Sequence, residues 1–361
     1  MRRSRRSLRD SVIFLLILFI ILAALSFISA RNDHPLLYAK LIWSLAVSCI
    51  GFYIYYSGVI SKYRSMLFVL IAFLFFLGFK FFRFLSFANA IPPYCHIAQA
   101  PTLLNFIYSQ YLALTSGDWR IWGPLTLGFL WLLIIFTIGQ GICSWVCFYG
   151  GLDEAFSKVA KKQLIKLNKP GPWRDFPIAF LIFLLIMSFL QGLPFFCNWF
   201  CPFKLTEAFW DNHQVIRTAQ AVLFWVTLAG FIVILPIITK KRTFCSLICP
   251  FGAFVSICGN VSPYKVIINE TKCIRCGKCQ DVCPVFAIED KDSKEYKISL
   301  FCNRCGECID VCPVNAIDIL TKRSGSHIDT KDIFIFLSLL VAGVISGSFV
   351  PRVFLQLIGM K

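Results

Sequence analysis

The stretch Cys273-Ile274-Arg275-Cys276-Gly277-Lys278-Cys279-Gln280-Asp281-Val282-Cys283-Pro284 returns, with the same spacing, as Cys302-Asn303-Arg304-Cys305-Gly306-Glu307-Cys308-Ile309-Asp310-Val311-Cys312-Pro313. Each copy holds three thiols in seven residues, then a fourth thiol followed by proline. Short spacers wrap one loop so that three thiolates converge on a common object, while the fourth turns away toward the other copy. This is ligand spacing for two [4Fe–4S] clusters: Cys273, Cys276, Cys279 and Cys312 on one, Cys302, Cys305, Cys308 and Cys283 on the other. Zinc favours two separated Cys pairs with variable gaps, and disulfides belong to oxidised compartments, so both fit this spacing poorly.

Outward from this region the chain is apolar. Of its 361 residues 58% are hydrophobic and 15% charged, with 17 cysteines and a net charge of +17. A mean hydropathy of +0.72 argues against a soluble nucleic-acid binder, and the Phe, Leu and Ile content argues against disorder. Seven apolar runs read as membrane spans: Ser11–Ala30, Leu41–Ile60, Met66–Ile91, Ile121–Ile142, Phe176–Phe196, Thr218–Thr239 and Ile333–Pro351. The third is interrupted by Lys80 and Arg83, which either snorkel to the surface or face a quinone head group or a cluster. Placing the N-terminus inside puts 27 of the 36 basic residues in inner segments, so the N-terminus and 240–332 read as cytoplasmic and the C-terminus as outside. The expected fold is an α-helical polytopic membrane protein with an inserted cytoplasmic α+β domain of the two-cluster bacterial ferredoxin kind. Its parts are an N-terminal hairpin (1–65), a membrane core (66–260), the ferredoxin domain (261–332) and a C-terminal helix (333–361).

Three Cys-x3-Cys pairs lie outside the ferredoxin repeats: Cys143/Cys147, Cys197/Cys201 and Cys245/Cys249. Spacing of i and i+4 puts two thiols on one helix face. Cys143/Cys147 and Cys245/Cys249 fall at inner helix ends and together supply four ligands, the number a third [4Fe–4S] cluster needs. The competing reading is reduced thiols that pack helix ends. Cys197/Cys201 falls on the outer side with Cys95 and His96, and two readings compete there: a fourth iron–sulfur cluster, or a disulfide in the oxidising compartment. Cys49 and Cys258 read as packing residues. No His lies within a span, which argues against a bis-His haem, and no glycine-rich phosphate loop is present.

The residues Cys143-Ser144-Trp145-Val146-Cys147, Cys245-Ser246-Leu247-Ile248-Cys249-Pro250 and the eight ferredoxin cysteines resemble the membrane ferredoxin subunits of the NapH, NosR and CcoG type, with NapH the closest in layout. The resemblance covers roughly Met66 to Leu320. It differs in Phe148, where the family usually has proline, and in the added outer pair and terminal helices. It implies a protein of a prokaryotic inner membrane that passes electrons between the quinone pool, as menaquinol or ubiquinol, or an outer redox partner, and a soluble ferredoxin-like carrier. This makes it an electron-transfer subunit or quinol dehydrogenase; the alternative it implies is supply of electrons for metalloenzyme assembly or regulation. The sequence offers no sign of a nucleic-acid partner.

Overall fold

The computed structural model describes residues 6–78, 96–117, 122–167, 175–202, 213–291, 295–321 and 330–359. The chain opens with a hairpin of α1 (Leu8–Ser29) and α2 (His34–Ser57). With 22 residues, α1 is about 33 Å long, enough to cross a hydrocarbon core of about 30 Å. Asp33 starts α2 by accepting the Leu36 N–H at 3.1 Å, and Pro35 occupies the first turn, where no N–H is needed. The hairpin packs on the last apolar helix through small residues. A Cβ on Gly343 would come within 2.9 Å of Leu22, and Trp43 donates its indole N–H to Ser346 Oγ at 2.8 Å.

α3 (Ser61–Phe76), α4 (His96–Gln99), α5 (Leu103–Thr115) and α6 (Trp122–Ile138) follow. From α6 a 3-10 turn, Gly139–Gly141, leads into the short α7 (Ile142–Trp145), and α8 (Phe148–Ser157) then crosses α3. The glycines Gly150 and Gly151 permit that crossing. A Cβ on Gly151 would lie 2.5 Å from Ala72 Cβ, and one on Gly150 would lie 2.5 Å from the Cys143 carbonyl oxygen.

α9 (Phe176–Gln191) stops at Gly192, whose left-handed φ of 66° ends the helix. The chain then folds back through α10 (Phe195–Trp199), with the Phe195 ring 5.8 Å from Phe183 and Phe200 5.3 Å from Phe180. The expected span Phe176–Phe196 is thus a 16-residue helix followed by a return, because glycine and proline interrupt an otherwise uniform apolar run. α11 (Gln214–Trp225), a π-helical stretch (Val226–Ile234), α12 (Leu235–Thr239), α13 (Thr243–Leu247) and α14 (Pro250–Cys258) complete this part.

The ferredoxin region holds β1 (Tyr264–Ile268), α15 (Lys278–Val282), β2 (Ile288–Lys291), β3 (Glu295–Ile298), α16 (Glu307–Val311) and β4 (Ile317–Thr321). β1 pairs antiparallel with β4, Val266 opposite Ile319, and β2 pairs with β3. Left-handed backbone recurs at matching positions of the two copies: Arg275, Gly277 and Phe286 in one (φ 53°, 73° and 54°), Arg304, Gly306 and Asn315 in the other (54°, 84° and 49°). A loop that turns three sulfurs inward needs such reversals, and five residues other than glycine adopt them here or at Lys240. α17 (Thr330–Ser346) and α18 (Val350–Leu357) end the chain. Phe334, fully buried on α17, touches both Tyr264 of β1 and Trp145 of α7, with ring centroids 5.5 and 6.3 Å away.

Among the described residues four helices are long and apolar enough to cross a membrane: Leu8–Ser29, His34–Ser57, Gly128–Trp145 and Gln214–Thr239. Thr330–Ser346 and Val350–Leu357 make a fifth if taken as one span bent by 44°. The expected third span is described only over its first part, and Lys80 and Arg83 lie outside the described residues.

Candidate metal centres

The ferredoxin cysteines fall into two crossed sets. Cys273, Cys276 and Cys279 share one cavity with Cys312 from the other copy. We call this Site I. It faces outward: Cys276 is exposed, and Ile274 beside it is 62% exposed. In Site II, burial first, then Cys302, Cys305 and Cys283, push the Cys308 thiol well up from its ordinary value. Burial likewise raises Cys302 and Cys305 to about 11. Each crossing thiol accepts a backbone N–H four residues on: Cys283 Sγ from Ala287 and Cys312 Sγ from Ala316, both at 3.2 Å. These bonds favour a thiolate and are a lever on cluster potential.

Cys143, Cys147, Cys245 and Cys249 line a single cavity, Site III. Local structure brings them together in the same way twice. α7 and α13 are each a single short turn, after which Cys147 and Cys249 take extended backbone and begin α8 and α14. Gly252 N–H donates to Cys249 Sγ at 3.3 Å, and Asp153 Oδ2 accepts the Cys245 N–H at 2.9 Å. Burial pushes the Cys245 and Cys249 thiols up, so ionisation there calls for a metal to replace the proton.

The donor set fits a cluster. A single tetrahedral zinc with Zn–S near 2.3 Å would draw its sulfurs to roughly 3.8 Å apart. Among the described residues no group of three or more His, Cys, Asp or Glu side chains converges on one ion. The four thiols instead line one common cavity. Asn303, 5% exposed, also lines Site III, and its Nδ2 is buried with no hydrogen-bond partner within the chain. Such an orphan donor typically costs about 1–3 kcal/mol, and sulfur in the cavity is an acceptor for it.

Sites II and III are stitched together. Ser144 Oγ, between two Site III thiols, donates to the Asn303 carbonyl at 2.6 Å. Arg304 is buried and donates to Ile138 O, to Ser262 Oγ at 3.0 Å and to Gly259 O at 3.3 Å. Beside them lies an ionic cluster not evident in the sequence. The buried Arg64 grips Glu154 at 2.7 and 3.0 Å and donates to Ser144 O at 2.6 Å. Arg242 pairs with the same carboxylate, and Lys158 bridges Glu154 and Glu307 at 2.9 Å each. Burial raises Asp153 to about 7. Burial would also raise Glu307, but Lys158 and Arg64 outweigh it and hold Glu307 below its ordinary value.

Cys197/Cys201 repeats the turn of the other two pairs: Phe200 N–H bonds Phe196 O at 2.9 Å, as Val146 bonds Ile142 O and Ile248 bonds Phe244 O, both at 3.1 Å. The sequence places this pair a bilayer away from Site III. In the structure the buried Tyr149, two residues after Cys147, sets its hydroxyl 3.7 Å from Cys201 Sγ, because the chain folds back after Gly192. Cys95 lies outside the described residues, and His96 begins α4 with its side chain likewise outside them.

The comparisons with known proteins find 4Fe-4S binding domains over the cysteine-bearing stretches. A 4Fe-4S dicluster domain matches residues 265–313, and a 4Fe-4S binding domain matches 119–166, 176–207 and 221–260, each stretch carrying one Cys-x3-Cys pair. YccM of Escherichia coli (strain K12), named as a candidate electron transport protein, is 24% identical over 42% of this chain and 43% of its own. The methylamine utilization ferredoxin-type protein MauN of Methylobacillus flagellatus is 29% identical over 40% of this chain and 48% of its own. The regulatory protein NosR of Stutzerimonas stutzeri is 25% identical over 52% of this chain and 26% of its own. The matches thus span less than half the length of these relatives. No solved structure matches.

Proposed function

We propose, from the premise that this chain is a membrane polyferredoxin-type protein of iron–sulfur electron transfer, that it works as a linear relay in the order Site I, Site II, Site III. Bound [4Fe–4S] clusters supply one-electron chemistry at each site. The observation that carries the order is the inequality of the two ferredoxin loops. Ile274-Arg275 borders solvent at Site I, whereas Asn303-Arg304 is buried against the membrane part and borders Site III. A soluble carrier therefore docks at Site I, on the cytoplasmic side by the charge distribution. The membrane end exchanges electrons with the quinone pool or with an outer redox partner through Cys197 and Cys201. As the next ligand-bearing stretch, that pair forms a fourth site together with Cys95 and His96.

The test is rapid-mixing reduction of cluster-loaded protein by a reduced ferredoxin and, separately, by menaquinol. In the relay, Cys305→Ser/Cys308→Ser protein still exchanges electrons with ferredoxin at Site I and with menaquinol at the membrane centres, but no electron passes between them. Normal passage without Site II would overturn the order. The likeness to a protein named regulatory favours a second reading, in which the same relay ends on a metalloenzyme under assembly or control.

A further inference from the structure

We propose that Asn303 donates its side-chain N–H to the centre held by Cys143, Cys147, Cys245 and Cys249, so that docking of the ferredoxin loop sets the electron affinity of Site III. This rests on the reading that those four thiols hold a cluster. Three observations place the amide. Asn303 sits inside the Cys302–Cys305 loop of Site II yet lines the cavity of Site III. Its main chain is fixed by Ser144 Oγ at 2.6 Å, and Ser144 lies between two Site III thiols. Its Nδ2 is buried without a partner in the chain, while Arg304 next to it is anchored on Ile138, Gly259 and Ser262. The first ferredoxin copy has Ile274 at the matching position, 62% exposed, so the amide belongs to the copy that meets the membrane part.

A donor to cluster sulfur favours the reduced state, which carries one more negative charge, and so raises the midpoint potential. Removing it weakens electron affinity at Site III and leaves its ligands in place.

The experiment is an EPR-monitored redox titration of full-length protein with clusters, comparing wild type, Asn303→Leu and Asn303→Asp. The Site III signal is identified as the one missing from Cys245→Ser/Cys249→Ser protein. Asn303→Leu is expected to lower the Site III midpoint by the equivalent of about tenfold in the reduction equilibrium, about 59 mV for one electron. Asn303→Asp should lower it further, and iron content should not change in either. An unmoved Site III signal, or a shift confined to Site II, would overturn the proposal. Labelling wild-type protein with ¹⁵N-asparagine gives a check that needs no variant: a nitrogen hyperfine coupling on the Site III signal is expected, and its absence counts against the amide. If Cys245→Ser/Cys249→Ser protein loses no iron, the underlying reading of Site III fails; if iron is lost but Asn303→Leu moves nothing, only the role of Asn303 fails.

Discussion

Gly139 and Arg304 occupy one space: a Cβ on Gly139 would stand 2.2 Å from Arg304 Nη1. The glycine also has a left-handed φ of 57°. Membrane part and ferredoxin part therefore meet where a side chain is missing on one and a guanidinium fills the gap from the other. Gly139→Ala suffers both the clash and the backbone penalty, and roughly 2 kcal/mol of stability should be lost. Limited proteolysis and thermal unfolding check this, with faster cleavage in the 259–265 connection expected. Wild-type behaviour would show that Arg304 has another seat.

Iron and sulfide analysis tests Site III directly. Cys245→Ser/Cys249→Ser protein should carry about four fewer irons per chain than wild type and keep about eight in the ferredoxin part. Cys143→Ser/Cys147→Ser should give the same loss, not an additional kind of loss, because both pairs line one cavity. Unchanged iron in either variant would return these thiols to helix packing.

The Cys197/Cys201 pair has its own outcome. Its turn repeats that of the Site III pairs, and a 4Fe-4S binding domain matches the stretch. Cys197→Ser/Cys201→Ser is expected to lose about four irons. Constant iron, with disappearance of a disulfide under non-reducing mass analysis, would settle the matter for the disulfide.

Glu154 is shared by two buried arginines, Arg64 and Arg242. Glu154→Ala leaves the buried Arg242 without its salt-bridge partner and Arg64 with only Glu307, 3.8 Å away, and should destabilise the protein by about 3–5 kcal/mol. The triple change Arg64→Met/Glu154→Leu/Arg242→Met removes all three charges and should be less harmful than the single one. Apparent melting temperatures in detergent provide the comparison, and a triple variant worse than Glu154→Ala would mean the charges themselves are needed for folding.

The eight ferredoxin thiols, including the exchange of Cys283 and Cys312 between copies, were legible because short spacers leave the loop few ways to place three sulfurs. The union of Cys143/Cys147 with Cys245/Cys249 was legible only through ligand number, since nothing local links residues so far apart. Arg64, Asp153, Glu154, Arg242 and Asn303 were not legible. A single charged or amide residue has no period, and its burial depends on partners from distant segments. The return of the chain after Gly192 was hidden for another reason: mean hydropathy is the same for a straight apolar helix and for a shorter one that doubles back. Gly192 and Pro194 carried the signal.

That return has an electrical consequence. One charge moved across a whole membrane gains or loses about 2.3 kcal/mol per 100 mV of transmembrane voltage. Tyr149 joins the neighbourhood of Cys147 to Cys201 within the reach of one side chain. An electron passing between those places traverses only a small part of the voltage drop. In the proposed relay such a step is governed by the relative electron affinities of the two sites and stays nearly indifferent to whether the cell is energised.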